Sequence, residues 1–314
     1  MEIMPKNHLL ELPDGAIEHI RKLYNLDKPG RIEEAIKILE DWIQKQDHIV
    51  KKDFSKTYLE KTLISCKGSV EKSKKQIDRL CTLKTLVPKF FNKYHVKTEL
   101  QHVLDLASFT PLPKVTKDFY RVIIIKVSSK DLTAEAFMQY YQYNIILTEY
   151  IKAHDYVNGF IIISDYSQVN IFDLMTKMNT VDLQQFITIL MEGYGARYIK
   201  GIHLLPESKA IDLFVKTMKQ FLSEKIGNRI HVHPNMDALH KIVPKEILPS
   251  DFGGAEKSIE KLNEEWIQAL SSEEHVEYLK MMSNACTDET RRLAGKFNEE
   301  CMGMPGSFRN LSVD

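Results

Sequence analysis

The stretch ARYIKGIHLLPES (residues 196–208) and the run IDLFVKTMKQFLSEKIGNRIHVH (residues 211–233) together decide the fold. The first is apolar and extended up to Pro206. In the second, apolar residues recur every three or four positions, which predicts an amphipathic helix from Ile211 to Ile226. A short strand is predicted at Arg229–His233. A strand followed by a helix with one apolar face forms a floor and a cover, and a ligand can lie between them.

Outside this stretch, apolar runs of strand length alternate with helical patterns. Continuous β-branched runs predict buried strands at Phe119–Val127 and Gly159–Ser164, in addition to the strand that ends at Leu205. Helices are predicted between them at Thr133–Ala153 and Val181–Met191. Strands that are apolar throughout and alternate with helices favour a mainly parallel sheet covered by helices, which is an α/β fold.

The flanking regions have helical patterns. In the N-terminal part these lie at Arg31–Gln46, Phe54–Ile64 and Val70–Leu83, and an irregular or helical piece is expected from Pro88 to about Phe109. In the C-terminal part, apolar residues from 259 to 270 at spacings of three and four predict one more helix, followed by a weakly structured tail. The predicted domains are an N-terminal helical module (1–106), the α/β domain (107–254), and a C-terminal helix and tail (255–314).

The composition is that of an ordinary globular protein. Of the 314 residues, 43% are hydrophobic and 27% are charged, and the net charge is zero, so no nucleic-acid partner is expected. The four cysteines form no Cys-x-x-Cys pair, which is typical of a reduced, cytoplasmic protein. Since no apolar run approaches the roughly 18 residues of a membrane span, any membrane contact is expected to be peripheral. The oligomeric state is left open.

The usual catalytic motifs are missing from the sequence. There is no phosphate-binding Gly-x-x-x-x-Gly-Lys loop and no Gly-x-Ser-x-Gly nucleophile motif. His231, His233 and His240 have no acidic or cysteine neighbours at metal-ligand spacing, so we interpret them as structural histidines that hydrogen-bond a loop. Asp165, at the end of a predicted strand, has no partner and is interpreted as a helix or turn cap. We therefore expect no metal, no cofactor and no enzymatic activity.

Three segments carry a resemblance to a known family: YGARYIKGIHLL (194–205), FLSEKIGNRIHVH (221–233) and LHKIVPKEILPSDFGG (239–254). In this order and spacing they resemble the CRAL-TRIO family of lipid-binding proteins. The resemblance implies a sheet that floors a deep apolar pocket, and a gate helix matching Glu207–Leu222 that opens at a membrane. It also implies a three-helix module before the domain, where this chain has its N-terminal helices.

Carried over residue by residue, the resemblance implies pocket residues on two helices, two strands and the gate. They are Tyr141, Asn144, Thr148, Phe160, Ile162, Ser164, Ile187, Leu190, Met191, Ile199, Ile202, Phe214 and Met218. Lys225 and Arg229 match two basic residues that bind phosphoinositide head groups in some members, and their spacing of four would let them face one phosphate on a continuous helix. The third basic position falls at Ile64 and Cys66. The segments Asp165–Gln168 and Leu204–Leu205 also depart from the family pattern at the rim of the pocket.

Our first hypothesis is an intracellular carrier that sequesters a small hydrophobic ligand of the retinoid, tocopherol-like or carotenoid class under the gate and releases it at membranes. The alternative is a signalling or scaffold module that reads phosphoinositides at a membrane without transferring lipid. A third and weaker hypothesis is an isomerase or hydrolase that uses the Asp165 region.

Overall fold

The computed structural model describes residues 7–128, 132–195 and 198–292. Within these ranges a five-stranded sheet lies among helices. In chain order the elements are α1 (Ala16–Leu23), α2 (Arg31–Gln44), α3 (Lys56–Ser65), α4 (Val70–Leu86), α5 (Val96–Glu99), α6 (Gln101–Leu106), β1 (Ala107–Val115), β2 (Tyr120–Ser128), α7 (Ala134–His154), β3 (Gly159–Gln168), α8 (Ile171–Lys177), α9 (Thr180–Thr188), β4 (Ile199–Leu205), α10 (Lys209–Met218), α11 (Glu224–Gly227), β5 (Ile230–Val232), α12 (Ile259–Leu270) and α13 (Glu273–Ser283).

The strands follow the order β1-β2-β3-β4-β5 across the sheet, and all neighbours except β1 and β2 are parallel. Ile123, Ile162 and Ile202 lie side by side on three adjacent strands. The next residues along two of these strands, Ile124 and Ile163, are fully buried in a second apolar cluster formed with the loop segments after β5. Both faces of the sheet are thus covered, and this explains why the strands are apolar throughout. The predicted α/β fold with a mainly parallel sheet is confirmed.

Strand β1 was missed by the sequence analysis, which expected irregular or helical chain up to about Phe109. The strand runs antiparallel to β2 and contains both Pro111 and Pro113. Proline has no N–H to donate, but an edge strand pairs on one side only and tolerates that loss. The two prolines therefore mark an edge strand here.

The predicted continuous helix from Ile211 to Ile226 is also wrong. Helix α10 ends at Met218 and continues as a tight 3-10 turn to Phe221. Leu222 then adopts an extended conformation (φ −108°, ψ 152°), and α11 begins two residues later. The apolar periodicity continues through the break, so periodicity alone did not reveal it. Helices α8 and α13, which the sequence analysis did not predict, are a further difference.

The N-terminal helices share their own apolar core. Ile20 of α1, Leu39 and Ile43 of α2, and Leu59 and Leu63 of α3 are fully buried in it. Met282 of α13 joins the same core, so the C-terminal helices pack back on this module. Most of the predicted C-terminal tail lies outside the described residues.

Candidate functional site

An interior cavity of about 140 Å³ lies between α3, α7 and the sheet. Its walls come from α3, β2, α7, the loop after α7, the first half of β3, the turn after α9 and the start of β4. The lining residues are Lys61, Ile64, Ser65, Ile123, Asn144, Thr148, Ile151, Lys152, Asp155, Tyr156, Val157, Phe160, Ile162, Leu190, Tyr194, Tyr198 and Ile199. Apolar side chains dominate one part of this lining and charged groups another.

The structure brings some of the predicted pocket residues together at this cavity and places others elsewhere. Those in the lining are Asn144, Thr148, Phe160, Ile162, Leu190 and Ile199. Those outside it are Tyr141, Ser164 and Phe214, which are buried, and Ile187, Met191, Ile202 and Met218, which are partly buried. Most of this second group packs in the apolar core that includes α10.

The wall formed by α7 is less polar than its sequence indicates. The side-chain amide of Asn144 donates to the carbonyl of Tyr140 at 2.8 Å, and the hydroxyl of Thr148 donates to the carbonyl of Asn144 at 2.7 Å. Both bonds satisfy the helix's own backbone groups. Much of the polarity of these two side chains is therefore directed at the helix, and the wall remains compatible with an apolar ligand.

The space beneath α10 is filled by the protein's own rings. Phe214 is 6% exposed, and its ring centroid lies 5.5 Å from that of Tyr166 in an edge-on contact. Tyr141 packs against Phe186 with ring centroids 4.7 Å apart. The buried hydroxyl of Tyr141 has no hydrogen-bond partner among the described residues, and burial raises the pKa of this phenol. Helix α10 is thus closed on β3 through Phe214 and Tyr166, and Tyr141 has an unsatisfied polar atom in the same apolar core.

Two lysines that the sequence analysis did not select lie in the cavity lining. The ammonium of Lys152 lies 4.2 Å from the centroid of the Tyr58 ring, a cation–π contact. Lys61 donates to the carbonyl of Ala153 and lies over the ring of Tyr156 at 4.6 Å. Burial lowers the pKa of each lysine to about 8. The available sequence signal was the placement of Lys152 four residues after the predicted pocket residue Thr148, on the same face of α7.

The other charges around the cavity are paired. Asp155 accepts two hydrogen bonds of 2.9 Å from Arg121, and both side chains are fully buried. Behind the cavity, Glu149 accepts from Lys84 at 2.9 Å and from the hydroxyl of Tyr194 at 2.7 Å. These bonds lower the pKa of Glu149 against the opposing effect of burial. The carboxylates near the cavity therefore already have cationic partners.

The basic residues predicted for phosphoinositide binding lie differently from the expectation. Lys225 is exposed on α11, but this helix ends at Gly227, so helical spacing does not relate it to Arg229. The guanidinium of Arg229 donates to the carbonyl of Ile199. Of the third position, Ile64 lines the cavity and Cys66 is buried. One exposed cation therefore remains at the predicted phosphate site.

His240 bonds a loop as expected and Asp165 caps a turn, whereas His231 and His233 contact another histidine instead of a loop. His203 and His233 share a hydrogen bond of 2.9 Å between Nδ1 and Nε2, and the ring of His231 stacks on His203. Burial and the two neighbouring imidazoles lower the pKa of His203 to about 4. His240 bonds the carbonyl of Phe252, and Asp165 accepts from the backbone N–H of Ser167. Among the described residues, no group of three or more His, Cys, Asp or Glu side chains is arranged to hold a metal ion.

The outer surface of the gate region is partly apolar. Helix α8 packs against α10, and each leaves one large apolar side chain in solvent: Phe172 is 55% exposed and Leu213 is 45% exposed. Exposed charges of both signs lie on the same two helices and the turn after α10, namely Lys177, Lys209, Lys216 and Lys219 together with Asp173 and Asp212. In the described ranges, no helix combines the length and the apolar character that crossing a bilayer requires.

Comparisons with known proteins agree with this architecture. Residues 108–254 match the model of the CRAL/TRIO domain, and residues 28–100 match the model of the Pinta-like, UBA domain. The alpha-tocopherol transfer protein-like protein of Mus musculus is 29% identical over 131 residues, which cover 41% of this chain and 38% of that protein. Clavesin-2 of Homo sapiens is 36% identical over 99 residues, which cover 31% of this chain and 30% of that protein.

These sequence matches span about a third of the relatives' length. The crystal structure of Sfh5 aligns with 87% of this chain and 99% of its own, at 14% identity and a TM-score of 0.46. The family match covers the sheet, α10 and most of the cavity wall. The three motifs, the helix-covered parallel sheet and this match lead to one conclusion: residues 108–254 form a domain of the CRAL/TRIO family.

Proposed function

We propose that the protein is an intracellular carrier that binds one small hydrophobic lipid between the sheet and its helices and releases it at a membrane surface. The observation that carries this proposal is the interior cavity inside a CRAL/TRIO domain. The proposed ligand is of the retinoid, tocopherol-like or carotenoid class, and the similarity to the mouse alpha-tocopherol transfer protein-like protein supports the tocopherol-like member. No chemical conversion of the ligand is part of the proposal.

The size of the cavity implies movement on binding. Ligand pockets in proteins measure about 300–1,000 Å³, whereas this cavity measures about 140 Å³. A whole lipid therefore needs additional space. The closed region beneath α10, where Phe214 and Tyr141 pack, is where we propose that this space opens. The break at Leu222 supports a movable α10, because the helix is not rigidly continuous with α11.

The exposed pair Phe172 and Leu213 supports release at a membrane. Apolar side chains flanked by lysines suit insertion into an interface that carries anionic lipids. A membrane also provides an apolar acceptor, which water does not, since each Å² of apolar surface transferred to water costs about 25 cal/mol. Lys225, exposed on α11, adds to this basic surface and supports a secondary contact with phosphoinositides.

The direct test is extraction of the purified full chain with organic solvent, followed by mass spectrometry. We expect one lipid in stoichiometric amount, chemically unchanged after incubation, and transfer of that lipid between vesicles. A protein that yields no lipid and moves none between vesicles would overturn the proposal. A ligand recovered as a converted product would instead support an enzyme.

A variant pair tests the membrane step separately. Replacing both Phe172 and Leu213 with Ser should slow transfer to vesicles about tenfold, a difference of about 1.4 kcal/mol, while leaving ligand binding unchanged. The matched control replaces Leu23 and Val50, which are 47% and 51% exposed on the N-terminal module. Equal transfer by both double variants would contradict release through the α8–α10 surface.

A further inference from the structure

The charges in the lining of the cavity do not balance, and positive charge is in excess. Three charged side chains besides Glu149 and its partners are near it: Lys61, Lys152 and Asp155. Asp155 is neutralised by Arg121, whose guanidinium donates to both of its carboxylate oxygens. With that carboxylate paired, the two lysines leave the lining with net positive charge.

Lys152 has no hydrogen bond or ion pair in the described part of the chain, and its ammonium contacts the face of the Tyr58 ring. An aromatic face stabilises an ammonium but satisfies none of its three N–H donors. Lys61 differs because one of its donors is used by the carbonyl of Ala153. Lys152 is therefore the cation at this wall whose three donors are all unused by the described residues, whereas Lys61 has one donor in use.

The opposite part of the lining is apolar. Ile123, Phe160, Ile162, Leu190 and Ile199 come from the sheet and the turn after α9. A ligand that satisfies both parts has an apolar body and an acidic end. A neutral ligand would leave the ammonium of Lys152 partly desolvated and without an acceptor, which is a costly arrangement.

We propose that the ligand is an amphiphile with an anionic head, a carboxylate or a phosphate monoester, and that this head binds the ammonium of Lys152. The inference rests on the proposed carrier function and revises its ligand class, because tocopherol-like and carotenoid lipids are neutral whereas a ligand held by Lys152 has an acidic head. The cavity of about 140 Å³ holds such a head and the first carbons of its chain, since a water molecule takes about 30 Å³ in the liquid. The rest of the chain occupies the space that opens toward α10. Charge-assisted hydrogen bonds of this kind are roughly twice as strong as neutral ones.

The pH dependence of head-group binding follows from Lys152, whose charge changes near pH 8, and from the groups that face it. They are Glu149 from its own helix, Lys84 and Cys81 from α4, Cys66 at the end of α3, and the Tyr58 ring. Glu149 and Lys84 are bonded to each other. Burial raises the pKa of both thiols and of the phenol, so these three groups stay neutral there. Affinity for an acidic head should therefore be greatest where the head is ionised and Lys152 is still protonated, and it should fall above about pH 8.

The test compares three ligands of one chain length on the delipidated full chain: hexadecanoic acid, hexadecyl phosphate and hexadecan-1-ol. At pH 7 we expect one or both anions to bind at least tenfold more tightly than the alcohol. Comparison of the two anions distinguishes a carboxylate site from a phosphate site.

Variants of the chain test the role of Lys152. Lys152→Met should remove the preference for anions without weakening the binding of the alcohol, and Lys152→Arg should retain the preference. Lys37→Met, at an exposed position on α2, is the matched control and should behave as the parent protein.

The outcomes separate this inference from the carrier function. Equal binding of the acids and the alcohol, or a preference that survives Lys152→Met, overturns the anionic-head assignment and leaves the carrier intact. Binding of none of the three also overturns the assignment. The carrier function itself fails only if the organic extract of the native protein is empty as well. Thermal unfolding of each variant confirms that an altered preference is not a consequence of misfolding.

Discussion

The gate side and the cavity side of the α/β domain fill the space between helices and sheet in opposite ways. Beneath α10, the rings of Phe214 and Tyr166 are in contact and Tyr141 packs on Phe186. Between α3, α7 and the sheet there is a cavity, and the buried ion pair of Asp155 and Arg121 stabilises its wall. The α10 side is held by apolar packing, whereas the cavity wall contains the buried ion pair of Asp155 and Arg121. Under the proposed carrier function, a lipid or a membrane replaces the first kind of contact and not the second.

The largest effect is expected at the brace of the cavity wall. Asp155→Ala leaves the fully buried Arg121 without its carboxylate. Breaking one partner of a buried ion pair costs about 3–5 kcal/mol, and we expect a loss of that size in the free energy of unfolding, measured with urea. Asp118→Ala, at an exposed carboxylate in the loop before β2, is the control and should change stability little. A loss under about 1 kcal/mol for Asp155→Ala would show that the pair does not brace the wall.

Loss of apolar packing beneath α10 should lower the free energy of unfolding by a somewhat smaller amount. Phe214→Ala removes a ring that is 6% exposed, and we expect a loss of about 3 kcal/mol in urea unfolding. The matched control is Phe172→Ala on the adjacent helix, where the same side chain is 55% exposed and should cost under about 0.5 kcal/mol. Equal losses would contradict the closed packing of α10.

The same comparison explains how far the sequence predicts this molecule. The β-branched runs and apolar periodicity predict the parallel strands and most helices, because burial on both faces imposes those patterns locally. Six predicted pocket residues meet at the cavity, and these came from the resemblance to the CRAL-TRIO family and not from the local pattern of the chain. The break at Leu222 and the edge strand with Pro111 were missed, since both depend on which neighbours the chain meets rather than on its own pattern.

The charged features of the site were the least predictable from sequence. In the sequence, Lys152 is one polar position on a long helix. Its place at the cavity depends on a tertiary contact, the approach of Tyr58 from α3. Likewise, Arg229 has the spacing of a phosphate-binding residue, but the chain after Gly227 directs its guanidinium to the carbonyl of Ile199. Long flexible side chains acquire their partners from tertiary contacts, so spacing along one helix does not determine them.

The smallest of these effects, and the one with a distinctive pH dependence, concerns Lys152 in the ligand-free protein. Its pKa is about 8 in the folded state, below the ordinary value near 10.4, because burial disfavours the ammonium. The unfolded state therefore binds more protons between these values, so the penalty is fully present below about pH 8 and vanishes as the pH rises toward 10.4. Lys152→Met should accordingly stabilise the protein at pH 7, by on the order of 1 kcal/mol, and this gain should shrink to zero by about pH 10.4.

Urea unfolding of both proteins at pH 7, 8, 9 and 10 measures this gain, with Lys37→Met as the exposed control that should remain flat. A destabilised Lys152→Met variant at pH 7 would mean that the contact with Tyr58 outweighs desolvation. Lys152 would then stabilise the cavity wall in the same way as Asp155 does. The contrast between the paired charge of Asp155 and the unpaired cation of Lys152 would no longer hold. A gain at pH 7 that disappears with rising pH would instead identify Lys152 as a group the folded protein tolerates at a cost, as expected of a side chain retained for its ligand.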